Sequence, residues 1–316
     1  MPFAVLHSEK EWAARFDRHH SATAVTIGNF DGVHLGHQRI LETVRELARQ
    51  TNCKSAVMTF FPHPARVLRP AEAPPLLMTL DQRMAAIESL GIDAAFVLRF
   101  DLQLAAVSAE DFVRRFLVEM MHARAVLVGG NFRFGHRQSG DVKLLEELGR
   151  RWGFEVKILP PVVKDGIVVS STAIRAALRE GRVEDARHLL GRPYALAGEI
   201  RTGTGQGRKL VVPTLNLATD QETLPKNGVY ATEVTLDGRT YRAATNVGTR
   251  PTFDGARITI ESHLFDFTED LTSGKMEVHF WARLRDEQKF PGPDALRQQV
   301  LKDIEEARRY FALSRA

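Results

Sequence analysis

From Ala22 to about Leu159, short apolar runs alternate with segments whose apolar residues recur with helical spacing. Ala22–Ile27 is followed by Leu35, Ile40, Leu41, Val44, Leu47 and Ala48. Ser55–Phe60, Ala94–Leu98, Ala125–Val128 and Val156–Leu159 repeat the strand-like run, with helical stretches around Met84–Leu90, after Ser108, and over Val142–Leu148. Ser108 with Asp111 predicts a capped helix carrying Phe112, Phe116 and Met120. Such alternation predicts an α/β fold with a parallel sheet, and ligands beyond the carboxyl ends of its strands. From about Pro193 the period falls to two. Val234 and Leu236 alternate with Glu233 and Thr235, Asp237-Gly238 predicts a hairpin, and strands are expected over Tyr241–Val247, Ala256–Phe265 and Met276–Leu284. A helix over Asp294–Phe311 closes the chain. These features predict a small antiparallel barrel with a C-terminal helix. The junction is expected between Gly181 and Ala197, giving domains over residues 1–186 and 187–316.

Composition adds limits. The 316 residues allow one or two domains, and 44% hydrophobic with 26% charged residues is ordinary for globular chains. The single cysteine, Cys53, cannot form an internal disulfide. Glu9, Lys10 and Glu11 interrupt any apolar run near Met1, and no stretch is long enough to span a bilayer. A cytoplasmic location without a membrane partner is the expectation. The charge balance, 43 basic against 39 acidic residues, is only +4. A sequence pI near 9.3 raises nucleic acid as a partner. No block of like charge supports that, and phosphate-bearing small molecules account for the excess equally well.

Candidate chemistry begins at Gly28-Asn29-Phe30-Asp31-Gly32-Val33-His34-Leu35-Gly36-His37, between the first strand and first helix of the alternating region. Gly28 and Gly32 permit a tight turn. The helix N-terminus offers free N–H groups to a phosphate, and His34 and His37 share one face of its first turn. Zinc ligation, surface histidines and an ordinary loop are the competing readings, though no third zinc ligand stands nearby. Val168-Val169-Ser170-Ser171-Thr172-Ala173-Ile174-Arg175 opens a later helix. Its hydroxyls and Arg175 suit phosphate oxygens, although serine and threonine there are equally ordinary caps.

In the second region Gly203, Gly205 and Gly207 alternate ahead of Arg208-Lys209-Leu210-Val211-Val212-Pro213-Thr214-Leu215-Asn216. No helix follows, which excludes a dinucleotide fingerprint and a Walker loop. A flap whose amides and two cations cover polyphosphate remains, beside a merely flexible connection. Thr214 and Asn216 share a face of an extended segment and are hard ligands suited to Mg²⁺. Glu261, in Ile258–Leu264, is either a general base or a solvent-facing strand residue.

The glycine-histidine turn and Ser-Ser-Thr-Ala-Ile-Arg, with Phe61-Pro62-His63-Pro64 and Gly129-Gly130-Asn131-Phe132-Arg133-Phe134-Gly135, resemble the nucleotidylyltransferase half of bacterial bifunctional riboflavin kinase/FAD synthetases. The glycine flap, Pro213–Asn216, Asn227–Tyr230, Asn246–Phe253, Glu261–Phe267 and Leu284–Phe290 resemble its kinase module. The resemblance implies a Rossmann-like sheet followed by a six-stranded barrel, with riboflavin, FMN, FAD and ATP as substrates or products. It implies ATP contacts for Gly28, Asn29, Asp31, Gly32, His34, His37, Ser171, Thr172 and Arg175 in the first half. In the same half Pro62, His63 and Asn131 approach the flavin. For the kinase half it implies ATP contacts for Gly203, Gly205, Gly207, Arg208 and Lys209, flavin contact for Arg250, magnesium on Thr214 and Asn216, and Glu261 as base. Val211 stands where the family usually has glycine. The histidine turn alone does not name the acceptor, so a different nucleotidylyltransferase is the rival enzyme. A flavin or nucleic-acid regulator that has lost its chemistry is the rival binding protein.

Overall fold

The computed structural model describes residues 2–16, 22–201, 212–252, 255–269 and 271–313, with only the backbone of residues 250–252 and 255–257. The glycine flap with Arg208, Lys209 and Val211, and the side chain of Arg250, lie outside the described parts. The chain forms two compact units, residues 1–170 and 171–316.

The first unit holds six parallel strands: β1 (Ala4–Leu6), β2 (Thr23–Ile27), β3 (Lys54–Phe61), β4 (Ala94–Arg99), β5 (Ala123–Gly129) and β6 (Glu155–Leu159). Their order is β1-β4-β3-β2-β5-β6, and a short antiparallel pair, β7 (Val163–Lys164) and β8 (Ile167–Val168), follows β6. Strand order therefore turns back at β2, flanked by β3 and β5, and such a switch point opens a crevice at the strands' carboxyl ends. The helices are α1 (Glu9–Arg15), α2 (Leu35–Gln50), α3 (Pro64–Leu68), α4 (Leu80–Ser89), α5 (Leu102–Ala105), α6 (Ala109–Phe112) and α7 (Val142–Trp152). Beyond α6 the chain winds as a π-helix over Val113–Met120. Ser108 caps α6 as its spacing predicts, accepting from the Asp111 amide. One apolar layer joins Trp12, Phe96, Phe116 and Leu145, and the other joins Phe30, Leu41, Val44 and Ile87. The periodic reading starts at Ala22 and so passes over β1 and α1. Ser8 caps α1, and Trp12 anchors it in the core at 2% exposure.

In the second unit α8 (Ser171–Glu180) and α9 (Val183–Leu190) precede β9 (Tyr194–Arg201), β10 (Leu215–Ala218), β11 (Gly228–Leu236), β12 (Arg239–Thr252), β13 (Gly255–Leu264) and β14 (Lys275–Asp286). The strands close an antiparallel barrel in the order β10-β13-β12-β11-β14-β9. Asp237 and Gly238 both adopt positive φ, as the predicted two-residue hairpin demands. The closing helix, α10 (Pro293–Leu313), packs Ile304, Ala307 and Phe311 on the barrel. Arg285 clasps Asp303 with two hydrogen bonds of 2.8 and 2.7 Å. Helices α8 and α9 are tied to the barrel: Lys226 donates its amide to the Leu178 carbonyl, and the Arg283 amide donates to Glu184. The compact units thus meet upstream of the expected Gly181–Ala197 junction. Among the described residues no helix is long and apolar enough to cross a membrane.

Candidate functional site

Three stretches singled out in the sequence leave the carboxyl ends of neighbouring strands. Gly28–His37 follows β2, Pro62–Pro64 follows β3 and Gly130–Gly135 follows β5. The parallel sheet brings them to one edge for that reason alone.

The β2 turn is strained. Phe30 and Val33 adopt φ of 51° and 39°, and Gly32 adopts 87°. Positive φ is costly for a β-branched residue. Both strained side chains are about 1% exposed, so core packing holds the backbone where the glycines alone would not. Gly28 serves by size instead, because a Cβ there would lie 3.2 Å from the Phe30 ring.

His34 is the N-cap of α2, its Nδ1 accepting from the His37 amide at 3.3 Å. The two imidazoles stack with centroids 3.7 Å apart. His37 Nδ1 is shielded from solvent and has no hydrogen-bond partner. Burial, then the neighbouring His34 and Arg83, push His37 well below the usual imidazole range. At neutral pH it is an uncharged ring with one N–H to donate. Asp31 does not face outward: it is 2% exposed, and its carboxylate accepts from the Leu77 amide at 3.0 and 3.1 Å. Among the described residues no three His, Cys, Asp or Glu side chains gather as a metal cluster.

His63 caps α3, accepting from the Ala65 amide at 3.2 Å, and Pro62 is half-buried beside it. Asn131 is exposed at the head of the β5 loop. Gly135 closes that loop at φ 72°, where a Cβ would stand 2.5 Å from the Ala109 Cα, so only glycine fits. In the second unit Ser171 and Thr172 open α8 and Arg175 lies one turn in; Thr172 is exposed and the other two are half-buried.

The barrel assembles its candidate site across strands. Asn216 on β10 lies opposite Glu261 on β13, which lies opposite Asn246 on β12. The alternating residues Leu217, Ile260, Ser262, Thr245 and Val247 are buried in the barrel. The row Asn216–Glu261–Asn246 therefore runs along the outer side, and Thr214 shares the face of Asn216. His263 Nδ1 lies 2.9 Å from the Pro213 carbonyl, fixing the segment that carries Thr214. Beside the row, Asn227 donates to Thr249 and Glu287 at 2.8 and 2.9 Å. A Cβ on Gly248 would lie 2.7 Å from Glu287 Oε1 and 3.0 Å from Asn246 Nδ2. Sequence reasoning gave Asn227, Asn246 and Glu287 no role. Their signal lies in strand register, which one chain's pattern does not specify.

Comparison with known proteins agrees with both halves. The FAD synthetase family matches residues 16–173 and the riboflavin kinase family residues 190–311. A protein of Haemophilus influenzae described as bifunctional riboflavin kinase/FMN adenylyltransferase is 37% identical over 289 residues, 91% of this chain and 94% of that one. Its counterpart in Escherichia coli K12 is 36% identical over 292 residues, covering 92% and 93%. A crystal structure described as a macrolide-efflux protein from Streptococcus pneumoniae is 29% identical with a TM-score of 0.85, covering 98% of this chain and 99% of that one. Fold, motif order and relatives over nearly the whole length agree: the chain belongs to the bifunctional riboflavin kinase/FMN adenylyltransferase family.

Proposed function

We propose that the residues described above divide the two reactions of the family between them. The chain is a bifunctional riboflavin kinase and FMN adenylyltransferase. In the kinase reaction Glu261 accepts the proton of the ribityl 5′-hydroxyl, whose oxygen attacks the γ-phosphate of ATP to give FMN and ADP. Thr214 and Asn216 are oxygen donors on one face, with the Glu261 carboxylate across the ladder from Asn216. A hard, oxygen-only set of this kind fits Mg²⁺. Bound there, the ion would supply positive charge to the nucleotide phosphates. Arg208 and Lys209 with the flap amides hold the polyphosphate, and Arg250 contacts the flavin.

In the adenylyl reaction the FMN phosphate attacks the α-phosphate of a second ATP, forming FAD and releasing pyrophosphate. The nucleophile is already an anion, so no general base and no covalent enzyme intermediate are needed. Gly28, Asn29 and Gly32 shape the approach, and His34 and His37 donate to the α-phosphate as its charge grows. Asp31 supports the turn from inside. Ser171, Thr172 and Arg175 hold the departing phosphates, and Pro62, His63 and Asn131 face the flavin. The boundary between the adenylyl-transfer and kinase regions is proposed at 186/187. A cytoplasmic enzyme without nucleic-acid or membrane partners completes the reading.

The supporting observation is that each half brings its candidate residues together, one by a local turn and the other by strand register. Stacked His34 and His37 head one crevice edge, and Asn216 faces Glu261 in the barrel. The test is incubation with riboflavin, ATP and Mg²⁺, with FMN and FAD resolved over time. FMN should rise first and FAD follow; absence of both products contradicts the reading.

A further inference from the structure

Arg83 on α4 has no part in the scheme above, yet it is a cation buried to 1% exposure. Met84 and Ile87 of the same helix enter the core as expected. A buried charge is costly, and an apolar side chain of similar volume usually serves stability as well or better. Burial draws the Arg83 guanidinium below its ordinary range and Asp31 opposes that, but arginine remains a cation throughout.

Its surroundings lead to the glycine-histidine turn. Arg83 Nη1 donates to Thr59 Oγ1 at 3.4 Å, and Thr59 Oγ1 donates to the Asn29 carbonyl at 3.3 Å. A threonine on β3 thus relays the guanidinium to the turn after β2. Arg83 Nε is buried with no hydrogen-bond partner. An arrangement built only to satisfy the guanidinium would not leave that donor spare.

We propose that Arg83 is a positioning residue for adenylyl transfer, bracing the Asn29 carbonyl through Thr59 and fixing a positive charge behind the Gly28–His37 turn. In a low-dielectric surrounding such a charge strengthens the pull on an anion at the turn. It also disfavours a second positive charge on His37. The titratable groups acting on His37 are its stacked neighbour His34 and, from α4, Arg83, with the Asp31 carboxylate beside Arg83. The inference rests on the assignment of His34 and His37 to the reacting phosphate.

The test follows FAD formation from supplied FMN and ATP, and His37 titration by ring NMR, in full-length Arg83→Met, Arg83→Lys and Thr59→Val. Arg83→Met should lower kcat about tenfold or more and move the His37 titration upward. Arg83→Lys keeps the charge and should retain most of kcat with the titration still low. Thr59→Val should raise the KM for ATP by about threefold or more without moving the titration. A merely structural arginine would lower thermal stability and leave the titration in place. Arg83→Met within about twofold of wild-type kcat, with His37 titrating as before, overturns the inference. If Arg83→Met does not fold, Arg83→Lys decides: a low titration with FAD formation retained supports the inference, and an ordinary imidazole titration overturns it. Retained FAD formation in His37→Asn would instead overturn the histidine assignment.

Discussion

In the α/β unit the candidate site lies at the ends of strands; in the barrel it runs across them. The first arrangement draws on contiguous stretches, because one turn after one strand carries glycines, cap and both histidines together. The second draws single residues from β10, β12 and β13, each unremarkable in its own strand. The two also store cost differently. The turn holds Phe30 and Val33 at positive φ against core packing, whereas the barrel row needs only ladder register. Motif-like sites are thus local and strained, and register-built sites are dispersed and relaxed.

That contrast can be broken by substitution. The largest expected effect is at Glu261. Glu261→Gln keeps shape but cannot take a proton, so FMN formation should fall by roughly 10²–10⁴. FAD formation from supplied FMN should stay unchanged in the same sample, and equal loss of both rates would join what the comparison separates. Next comes the barrel's own clasp. Asp303→Ala strands Arg285, whose partner carboxylate is 5% exposed, and should cost about 3–5 kcal/mol in a chemical unfolding curve. The transition affected should be the barrel's, with FAD formation from FMN retained.

A smaller loss tests the local site. Gly135→Ala sets a Cβ 2.5 Å from the Ala109 Cα at φ 72°. We expect a cost of about 1–3 kcal/mol, read as a lower thermal midpoint of the α/β unit. The smallest effect is pH dependence. His37 resists protonation in the folded state, so the unfolded chain takes up the proton first. Below the ordinary imidazole value of 6.5, stability of the α/β unit should therefore fall as pH falls. His37→Asn should flatten that slope, and an unchanged slope would show that other groups carry it.

Legibility followed the same division. Apolar period distinguished sheet from barrel, and Asp237-Gly238 marked its hairpin, because these are local choices. The turn at Gly28–His37 is readable as a strand-to-helix junction for the same reason. The inward aim of Asp31 and the positive φ of Val33 were not, since both depend on a core formed by distant segments. Arg83 was invisible: its helical pattern gives no hint that β3 and the β2 turn close over it. The row Asn216–Glu261–Asn246 needed register that no single strand encodes. The first strand escaped notice because three residues are too few to show alternation.

The proposed division gives each of the two sequential reactions a site of its own. Its most direct measurement is complementation between two full-length variants, Glu261→Ala and His37→Ala, assayed alone and mixed with riboflavin, ATP and Mg²⁺. Alone, Glu261→Ala should convert supplied FMN to FAD but leave riboflavin untouched, and His37→Ala should stop at FMN. Mixed, they should turn riboflavin into FAD. If each variant keeps its own half-reaction and the mixture still yields no FAD, independent sites are contradicted.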